Sequence, residues 1–202
     1  MKLVKLTGSC VIGAVAAFAC APGAQADSGA SQYHVTLLAG ASDKASLNWD
    51  SLSYSMDSGR SYALGISRNL NSMPNLELGV ELAHTKAEYS CCAPHSLSGT
   101  SLLARAQYNV AVSNAVDLYG ALGLGAVNVT YKNTTVGYTN RDTVAGGLLA
   151  LGASAKVAPS VRLVTELRYV GVFTNAKVAG PGAIARAEYR NTNLNIGVRF
   201  SF

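Results

Sequence analysis

Three histidines are the side chains of this sequence best suited to act as a catalytic base: His34, His84 and His95. Nucleophilic catalysis needs a serine or cysteine within hydrogen-bonding reach of a base that a third group orients. None of the three lies in an alternating segment with a serine two residues on and an acid close by, although Ser96 follows His95 directly. We therefore predict that the protein is not an enzyme and has no catalytic or cofactor-binding residues.

The adjacent cysteines Cys91 and Cys92 stand in the stretch YSCCAPHS, three residues before His95. Outside the cytosol, adjacent cysteines can close a strained ring with each other or pair with another chain. Free thiols and a metal site that includes His95 are the alternatives. Because three potential ligands on one short loop, with no second cluster, are a weak metal signal, we favour a disulfide and predict no metal site.

The charged residues with the most regular placement share one face of several alternating segments. The acids are Glu77, Glu81, Asp117 and Glu166, and the bases are Arg105, Lys156, Arg162, Arg168 and Arg199. Enclosed charges must be paired, since an isolated one costs several kcal/mol. We expect Glu77 and Glu81 to pair with Arg105, and Glu166 to pair with Arg199 or with Arg162 and Arg168. A charge swap between Glu81 and Arg105 should then recover part of the stability that either single replacement loses.

The alternation that places these charges has a period of two residues, which is typical of strands with one buried face. It recurs in eight segments, each about as long as a tilted strand that crosses a bilayer, roughly 9–11 residues. The segments are 32–42, 60–70, 76–87, 99–110, 116–129, 144–157, 161–170 and 189–202. The segment 144–157 is the weakest, because both of its faces are apolar at the start.

The first 26 residues have the three parts of a secretory signal peptide. Lys2 and Lys5 give a positive start, a short apolar run follows, and Ala24 and Ala26 form a small-x-small cleavage site. The run is too short to span a membrane as a helix. Cleavage before Cys20, which would yield a lipoprotein, is an alternative, but the leucine usual before such a site is missing.

Composition limits the remaining chain to a single domain, 27–202. With 49% apolar and only 13% charged residues, the sequence is too apolar for disorder and too poor in charge for an ordinary soluble surface. The net charge of +5 falls to +3 when Lys2 and Lys5 leave with the signal. Without a basic cluster, a nucleic-acid partner is not expected.

Short and long connections alternate along the chain. Residues 69–75, 111–115 and 158–160 are short connections, whereas 43–59, 88–98, 130–143 and 171–188 are longer. Short turns at one end and long loops at the other are the pattern of a bacterial outer-membrane barrel. With both termini on the turn side, four long loops would face the exterior.

A soluble sandwich or barrel would alternate too, with the faces exchanged. Three observations favour the membrane barrel. The polar face is rich in small residues, such as Gly65, Gly79 and Gly197, which suit a narrow lumen, and its charges nearly balance. Aromatic residues stand near predicted strand ends, where membrane barrels have interfacial girdles. They are Tyr33, Tyr62, Tyr89, Tyr108, Tyr169 and Phe200.

The stretches VDLYGALGLGAV (116–127), LVTELRYV (163–170) and LNIGVRFSF (194–202) resemble the small eight-stranded outer-membrane barrels of Gram-negative bacteria, the OmpA-transmembrane-domain and OmpX type, including porin-like surface antigens. The resemblance covers the whole mature chain and implies an all-β, antiparallel up-and-down barrel. It also implies that Phe200 and Phe202 form the signal read by the barrel-assembly machinery.

With eight strands, a barrel interior is just wide enough for side chains to fill it. We therefore expect a structural or surface-interaction protein of the outer membrane, a monomer surrounded by lipid and lipopolysaccharide. Its long loops, which carry Trp49, Tyr54, Tyr131 and Tyr138, could meet a host or other extracellular ligand. A narrow solute or ion pore is the second hypothesis, and a barrel enzyme that modifies lipid A is the third.

Overall fold

The computed structural model describes residues 33–43, 46–49, 52–55, 59–88, 95–133, 137–180, 183–187 and 189–202. The predicted signal peptide, with Ala24 and Ala26, lies outside the described residues. So do Cys91 and Cys92, whose redox state stays a prediction.

The described chain consists of strands joined by turns and loops. Eight strands form the barrel: β1 (Tyr33–Ser42), β4 (Gly59–Leu70), β5 (Met73–Glu88), β6 (His95–Ala111), β7 (Val116–Asn133), β8 (Tyr138–Ala158), β9 (Val161–Val172) and β12 (Arg190–Ser201). Four short strands form two hairpins: β2 (Ser46–Trp49), β3 (Leu52–Ser55), β10 (Ala176–Gly180) and β11 (Ala183–Ala187). Among the described residues, no helix is long and apolar enough to cross a membrane.

The eight long strands close into one antiparallel barrel in the order β1-β12-β9-β8-β7-β6-β5-β4. The predicted fold class and all eight predicted segments are confirmed. The last strand closes on the first, and the Phe202 N–H donates to the Tyr33 carbonyl over 2.9 Å. Closure satisfies the backbone groups that an open edge would expose to lipid.

The register fixes how the strands are staggered. A row of paired residues can be followed from Val35 on β1 around the barrel, through Gly171 on β9, to Arg190 on β12. In the direct pairing between β1 and β12, however, Val35 lies opposite Phe200. The offset between Arg190 and Phe200 is a shear of ten residues. This stagger tilts the strands and sets which side chains meet across the lumen.

The apolar face of each strand points outward. On β5, Leu78, Val80 and Leu82 are about half exposed, whereas Glu77 and Glu81 on the alternate positions are buried. This arrangement is the reverse of a soluble barrel, and it confirms the membrane-barrel interpretation. Around the barrel the outward set contains mostly leucine, isoleucine and valine.

Outward aromatic residues stand at both ends of this apolar band. Tyr33 and Tyr108 lie near the end of the barrel that carries the short turns, the start of β1 and the last residue of β12, here called the turn end. Tyr62 and Tyr169 lie near the opposite end, here called the loop end. Their exposed rings match the girdles expected of a membrane barrel. Tyr89 lies outside the described residues.

The strands at the loop end extend further than predicted. Strand β7 continues to Asn133 and β8 begins at Tyr138, so that their ladder extends beyond the apolar band. There the outward residues are polar, and Asn128 donates to the Thr143 hydroxyl over 2.8 Å. The sequence prediction ended these strands early because the hydrophobic alternation ends before the backbone ladder does. The hairpins β2–β3 and β10–β11 lie in long connections that were predicted only as loops.

Candidate functional site: the charged lumen

The central luminal cluster joins two acids and two arginines from three strands. Arg105 on β6 donates to Glu81 on the neighbouring strand β5 over 2.5 Å and to Glu166 on β9 over 2.6 Å. Arg168 on β9 donates to Glu81, and its Nε lies 3.8 Å from Glu166. Each acid therefore contacts both arginines, which makes a closed four-charge cluster.

All four side chains are withdrawn from solvent. The side chains of Glu81, Glu166 and Arg168 are at most 2% exposed, and that of Arg105 is 11% exposed. Charges this deeply buried need complete pairing, because removing one partner leaves an uncompensated charge. The two carboxylates balance the charge of the two guanidinium groups, although Nε and Nη1 of Arg168 are buried without a hydrogen-bond partner among the described residues.

A second layer of contacts lies toward the turn end. Arg199 on β12 donates to Glu77 on β5 over 3.0 Å, and the Arg199 Nε donates to Thr36 over 3.2 Å. The other oxygen of Glu77 accepts from Ser67 over 3.0 Å. The prediction that Glu77 pairs with Arg105 was wrong. Arg105 pairs in register with Gly79, which lies two residues from Glu77 and two residues from Glu81 along β5. The strand tilt directs the Arg105 side chain toward Glu81.

Glu166 also does not pair with Arg199, the first of its predicted partners. It contacts Arg105 and Arg168, whereas Arg199 pairs with Glu77. The predicted neighbour on its own face, Arg168, is a partner, but Arg162 is not. Arg162 instead forms an ion pair with Asp117 and donates to Ser154 over 3.0 Å.

Three side chains that sequence reasoning did not single out connect the layers. Gln107 accepts from Arg105 over 2.8 Å and donates to Asn109, which donates to Glu77 over 2.7 Å. Tyr119 donates to Glu166 over 2.9 Å. Its ring lies 5.9 Å from the Arg105 guanidinium and 5.7 Å from that of Arg199, within cation–π range. Their inward parity was the signal that could have identified them.

An open vestibule of about 310 Å³ forms the turn end of the lumen. The ion pair of Asp117 and Arg162 lines it, as does Lys156. Lys156 was predicted to belong to the enclosed charge set, but its side chain is exposed. It forms no ion pair with any described residue. The β-bulge that follows Lys156 places it at the rim, where water can solvate the ammonium group.

His34 also lines this vestibule. Its Nδ1 lies 2.9 Å from the Ser201 hydroxyl, and its Nε2 lies 2.5 Å from the Asn69 side-chain oxygen. The tertiary structure thus places a serine beside a histidine, which the sequence pattern did not show. Among the described residues, however, no carboxylate contacts His34. His84 faces outward, as its parity predicted, and the side chain of His95 lies outside the described residues.

An apolar layer occupies the lumen above the charged cluster. It contains Leu97, Leu103, Val127, Val129, Tyr131, Leu148, Ala150, Val170, Ala176 and Tyr189. These residues come from β6, β7, β8, β9, the β10 hairpin and the residue before β12, so facing walls of the barrel meet here. The layer explains why the segment 144–157 is apolar on both faces: Leu148 and Ala150 face the lumen, whereas Leu149 and Leu151 face lipid.

Little free space remains between the charged layers. The cavity bounded by Glu77, Glu81, Arg105, Gln107 and Arg199 has a volume of about 20 Å³. This is room for about one water molecule. Among the described residues, no group of histidine, cysteine and acidic side chains could hold a metal ion.

A closed eight-stranded barrel with a lipid-facing apolar exterior and a charged lumen defines a transmembrane β-barrel protein. The family model for the outer membrane protein beta-barrel domain matches residues 11–202, and the chain belongs to this family. The protein is therefore located in the bacterial outer membrane.

Solved structures share this fold. Neisserial surface protein A is 20% identical, with a TM-score of 0.59 over 84% of this chain and 97% of that one. OprG from Pseudomonas aeruginosa is 15% identical, with a TM-score of 0.53 over 86% and 96%. AlkL, solved in lipid bilayers, is 13% identical, with a TM-score of 0.52 over 90% and 95%. No curated protein matches the chain in sequence. At these identities the likeness extends to the fold alone.

Proposed function

We propose that this protein is a structural and surface-interaction barrel of the outer membrane whose lumen does not conduct. The observation that supports this most directly is that two layers of side chains fill the lumen, the charged cluster and the apolar layer. Arg105 reaches from β6 to Glu166 on β9 in one layer, and Leu103, Val127 and Leu148 meet in the other. An ion would have to break buried ion pairs and then enter an apolar constriction, both of which are unfavourable.

The functional surface is then the loop end. We propose that the loop end faces the cell exterior, because outer-membrane barrels have short periplasmic turns and longer extracellular loops. The hairpin β10–β11 is held there by the Lys177 N–H, which donates to Asp142 over 2.6 Å, and by Ala176, which is fully buried in the apolar layer. A rigid barrel that presents such loops is suited to binding at the surface. A host or extracellular ligand remains part of this proposal.

Planar-bilayer recording on purified monomer tests the closed lumen. Refolded protein that shifts on a heat-modifiability gel should insert without producing steady unitary currents. Stable discrete channels from the same sample would overturn the proposal and support the narrow pore. The isosteric variant Leu103→Asn, which adds an unpaired amide to the apolar layer, is the comparison in which leakage is expected first.

We also propose that the protein has no enzymatic activity, and His34 allows a specific test. If the Ser201 hydroxyl were activated by His34, a fluorophosphonate probe would label the folded wild type and not Ser201→Ala. No labelling difference is expected, because no carboxylate among the described residues orients the imidazole. A shift in lipid A mass on expression would independently revive the third hypothesis.

Two further proposals concern the assembly of the barrel and its oligomeric state. The closing strand β12 ends next to Phe202, which is 44% exposed at the turn end. We propose that Phe200 and Phe202 are recognised by the barrel-assembly machinery. We also propose that the protein is a monomer, since the barrel satisfies its own strand edges.

A further inference from the structure

One arc of the outer wall combines an apolar groove with two adjacent cations. Across β1, β4 and β5, successive outward rows change character toward the loop end. The first row, Leu37, Leu64 and Leu82, is apolar. The next row contains Ala39, Tyr62 and His84. The third contains Ala41, Arg60 and Lys86. The wall therefore passes from hydrocarbon to hydrogen-bonding groups to cations within three rows.

The small side chains of this arc leave a groove. Ala39 stands between Ile196 on β12 and Tyr62 on β4, so the two larger side chains form walls and the alanine forms the floor. The groove has a volume of about 480 Å³ and is almost entirely apolar. It opens on the lipid-facing side of the barrel, which makes an acyl chain the occupant that its chemistry fits.

The upper end of the groove is polar and ordered. His84 and Thr100 are neighbours in the register of β5 and β6, and the His84 Nδ1 and the Thr100 hydroxyl are hydrogen-bonded at 2.9 Å. Tyr62 is the direct partner of His84 across β4 and β5. These groups lie where a headgroup's sugar or glycerol oxygens would begin.

Two cations stand directly opposite each other above the groove. Arg60 pairs in register with Lys86, and like charges in this position are unfavourable unless an anion compensates them. Glu88 supplies one carboxylate, which accepts from Lys86 over 2.6 Å. Glu88 pairs with Lys86 alone, so the charge of Arg60 is not neutralised by an ion pair with any described residue.

We propose that this arc binds one lipid A molecule, with an acyl chain in the groove over Ala39 and a phosphate between Arg60 and Lys86. The charge of the two side chains is complementary to a phosphate, and each basic residue near an anionic surface contributes favourably to lipid binding. The inference rests on the proposed function in one respect: the loop end must face the exterior, where the leaflet contains lipid A.

The headgroup contact is tested by titrating detergent-solubilised, folded protein with lipid A and measuring bound lipid by native mass spectrometry. Wild type should bind phosphorylated lipid A more tightly than the dephosphorylated form. The double variant Arg60→Gln, Lys86→Gln should lose about 30-fold in affinity, because each basic residue contributes roughly fivefold. Glu88→Gln should bind more tightly than wild type, since it removes the competing carboxylate.

The matched control is Arg68→Gln. Arg68 is also on β4 and also faces outward, but it lies at the turn end, 5.5 Å from the Tyr33 ring. Its replacement should leave lipid A affinity unchanged. An equal loss in Arg68→Gln and in the double variant would show nonspecific charge attraction and overturn the site. Equal binding of phosphorylated and dephosphorylated lipid A by wild type, a comparison that needs no variant, would also overturn it.

The groove is tested separately by filling it. Ala39→Leu should reduce the affinity for lipid A several-fold, whereas Ala106→Leu, at an outward position of β6 between Leu78 and Leu122, should not. Equal binding by Ala39→Leu and wild type would remove the acyl-chain part of the proposal.

Phosphatidylglycerol distinguishes the source of the phosphate: affinity for phosphatidylglycerol equal to that for lipid A would overturn the assignment of lipid A. None of these outcomes bears on conductance, so the closed lumen is tested independently.

Discussion

Arg105 and Glu166 lie 61 positions apart in the chain and on strands that are not neighbours, yet their side chains meet at 2.6 Å across the lumen. The same guanidinium also pairs with Glu81 on the adjacent strand. One side chain therefore connects two walls of the barrel, and the consequences of removing it can be measured.

Arg105→Met should destabilise the folded barrel by about 3 kcal/mol, because Glu81 and Glu166 would each lose a buried partner. Urea unfolding in lipid vesicles, followed by tryptophan fluorescence or gel mobility, measures the change. Lys156→Met is the matched control, since Lys156 is exposed and forms no ion pair with a described residue. Equal effects in the two variants would contradict the buried network.

A charge swap at Glu81 and Arg105 is not expected to restore stability. Arginine at position 81 would face Arg168, and glutamate at position 105 would face Glu166. The sequence alone predicts partial recovery, since it considers the two residues as an isolated pair. Unfolding of the double mutant therefore distinguishes a pair from a four-charge cluster: recovery to near wild-type stability would argue for the pair.

The apolar layer predicts unequal effects at two adjacent leucines. Leu103 is fully buried in the lumen, whereas Leu102 is 56% exposed on the lipid face. Leu103→Ala should cost about 2–5 kcal/mol because it leaves a cavity. Leu102→Ala should cost less, since lipid can occupy the space. Paired unfolding curves measure both, and a larger effect at Leu102 would show that the lumen is not packed at this level.

Gly152 and Gly120 should respond differently to alanine. A Cβ at Gly152 would collide with the Tyr119 ring and lie 2.6 Å from the Thr165 carbonyl oxygen, whereas at Gly120 the nearest atom, on Leu151, is 3.7 Å away. Gly152→Ala should therefore destabilise by about 1–3 kcal/mol, as expected for overpacking. Gly120→Ala should be neutral in the same unfolding assay; equal tolerance would mean that Tyr119 is free to move.

Tyr189 should ionise late. Burial raises the pKa of Tyr189 to about 12, against the opposing effects of its Thr85 hydrogen bond and of Arg168. Since the folded pKa lies above the unfolded value of about 10, the associated stability is present below that pH and is lost as the pH rises toward 12. Absorbance at 295 nm measures tyrosinate. Tyr189→Phe should remove a late component, whereas loss of a component that titrates at the ordinary tyrosine pKa would place Tyr189 in water.

Deleting Phe202 should impair assembly far more than it changes the stability of barrels that do form. The ring is 44% exposed, so little packing is lost, although one backbone pair with Tyr33 is removed. The measurement compares the amount of heat-modifiable protein in outer membranes with urea unfolding of refolded material. Phe202→Tyr is the control that keeps an aromatic terminus; if it fails equally, the aromatic ring is not what the assembly machinery reads.

The period-two pattern was sufficient to predict much of the barrel. It placed Glu81 and Arg105 on one face and Leu82 and Leu102 on the other, and the structure shows these faces as lumen and lipid surface. Strand parity is a local property of extended backbone, so it can be read without knowing any partner. The same reasoning placed His84 outward.

Partner choice could not be predicted in this way. Glu77 and Glu81 are equivalent by parity, and both are one step from Arg105 in the register. Which of them Arg105 contacts depends on the tilt of the strands and on Glu166 approaching from the far wall. Likewise, Val127 and Val129 share the inner parity of Asp117, but only the closed barrel brings them against Leu103 and Leu148.

The sequence by itself therefore determined the eight barrel strands and the faces that meet lipid, because each of these follows from neighbouring residues along one strand. Only the tertiary structure decided that Glu77 pairs with Arg199, that Lys156 stands at the rim, and that Arg60 and Lys86 lie over an apolar groove. The physical reason is closure with a fixed shear, which brings together side chains distant in sequence and gives every strand two neighbours that its own residues do not specify.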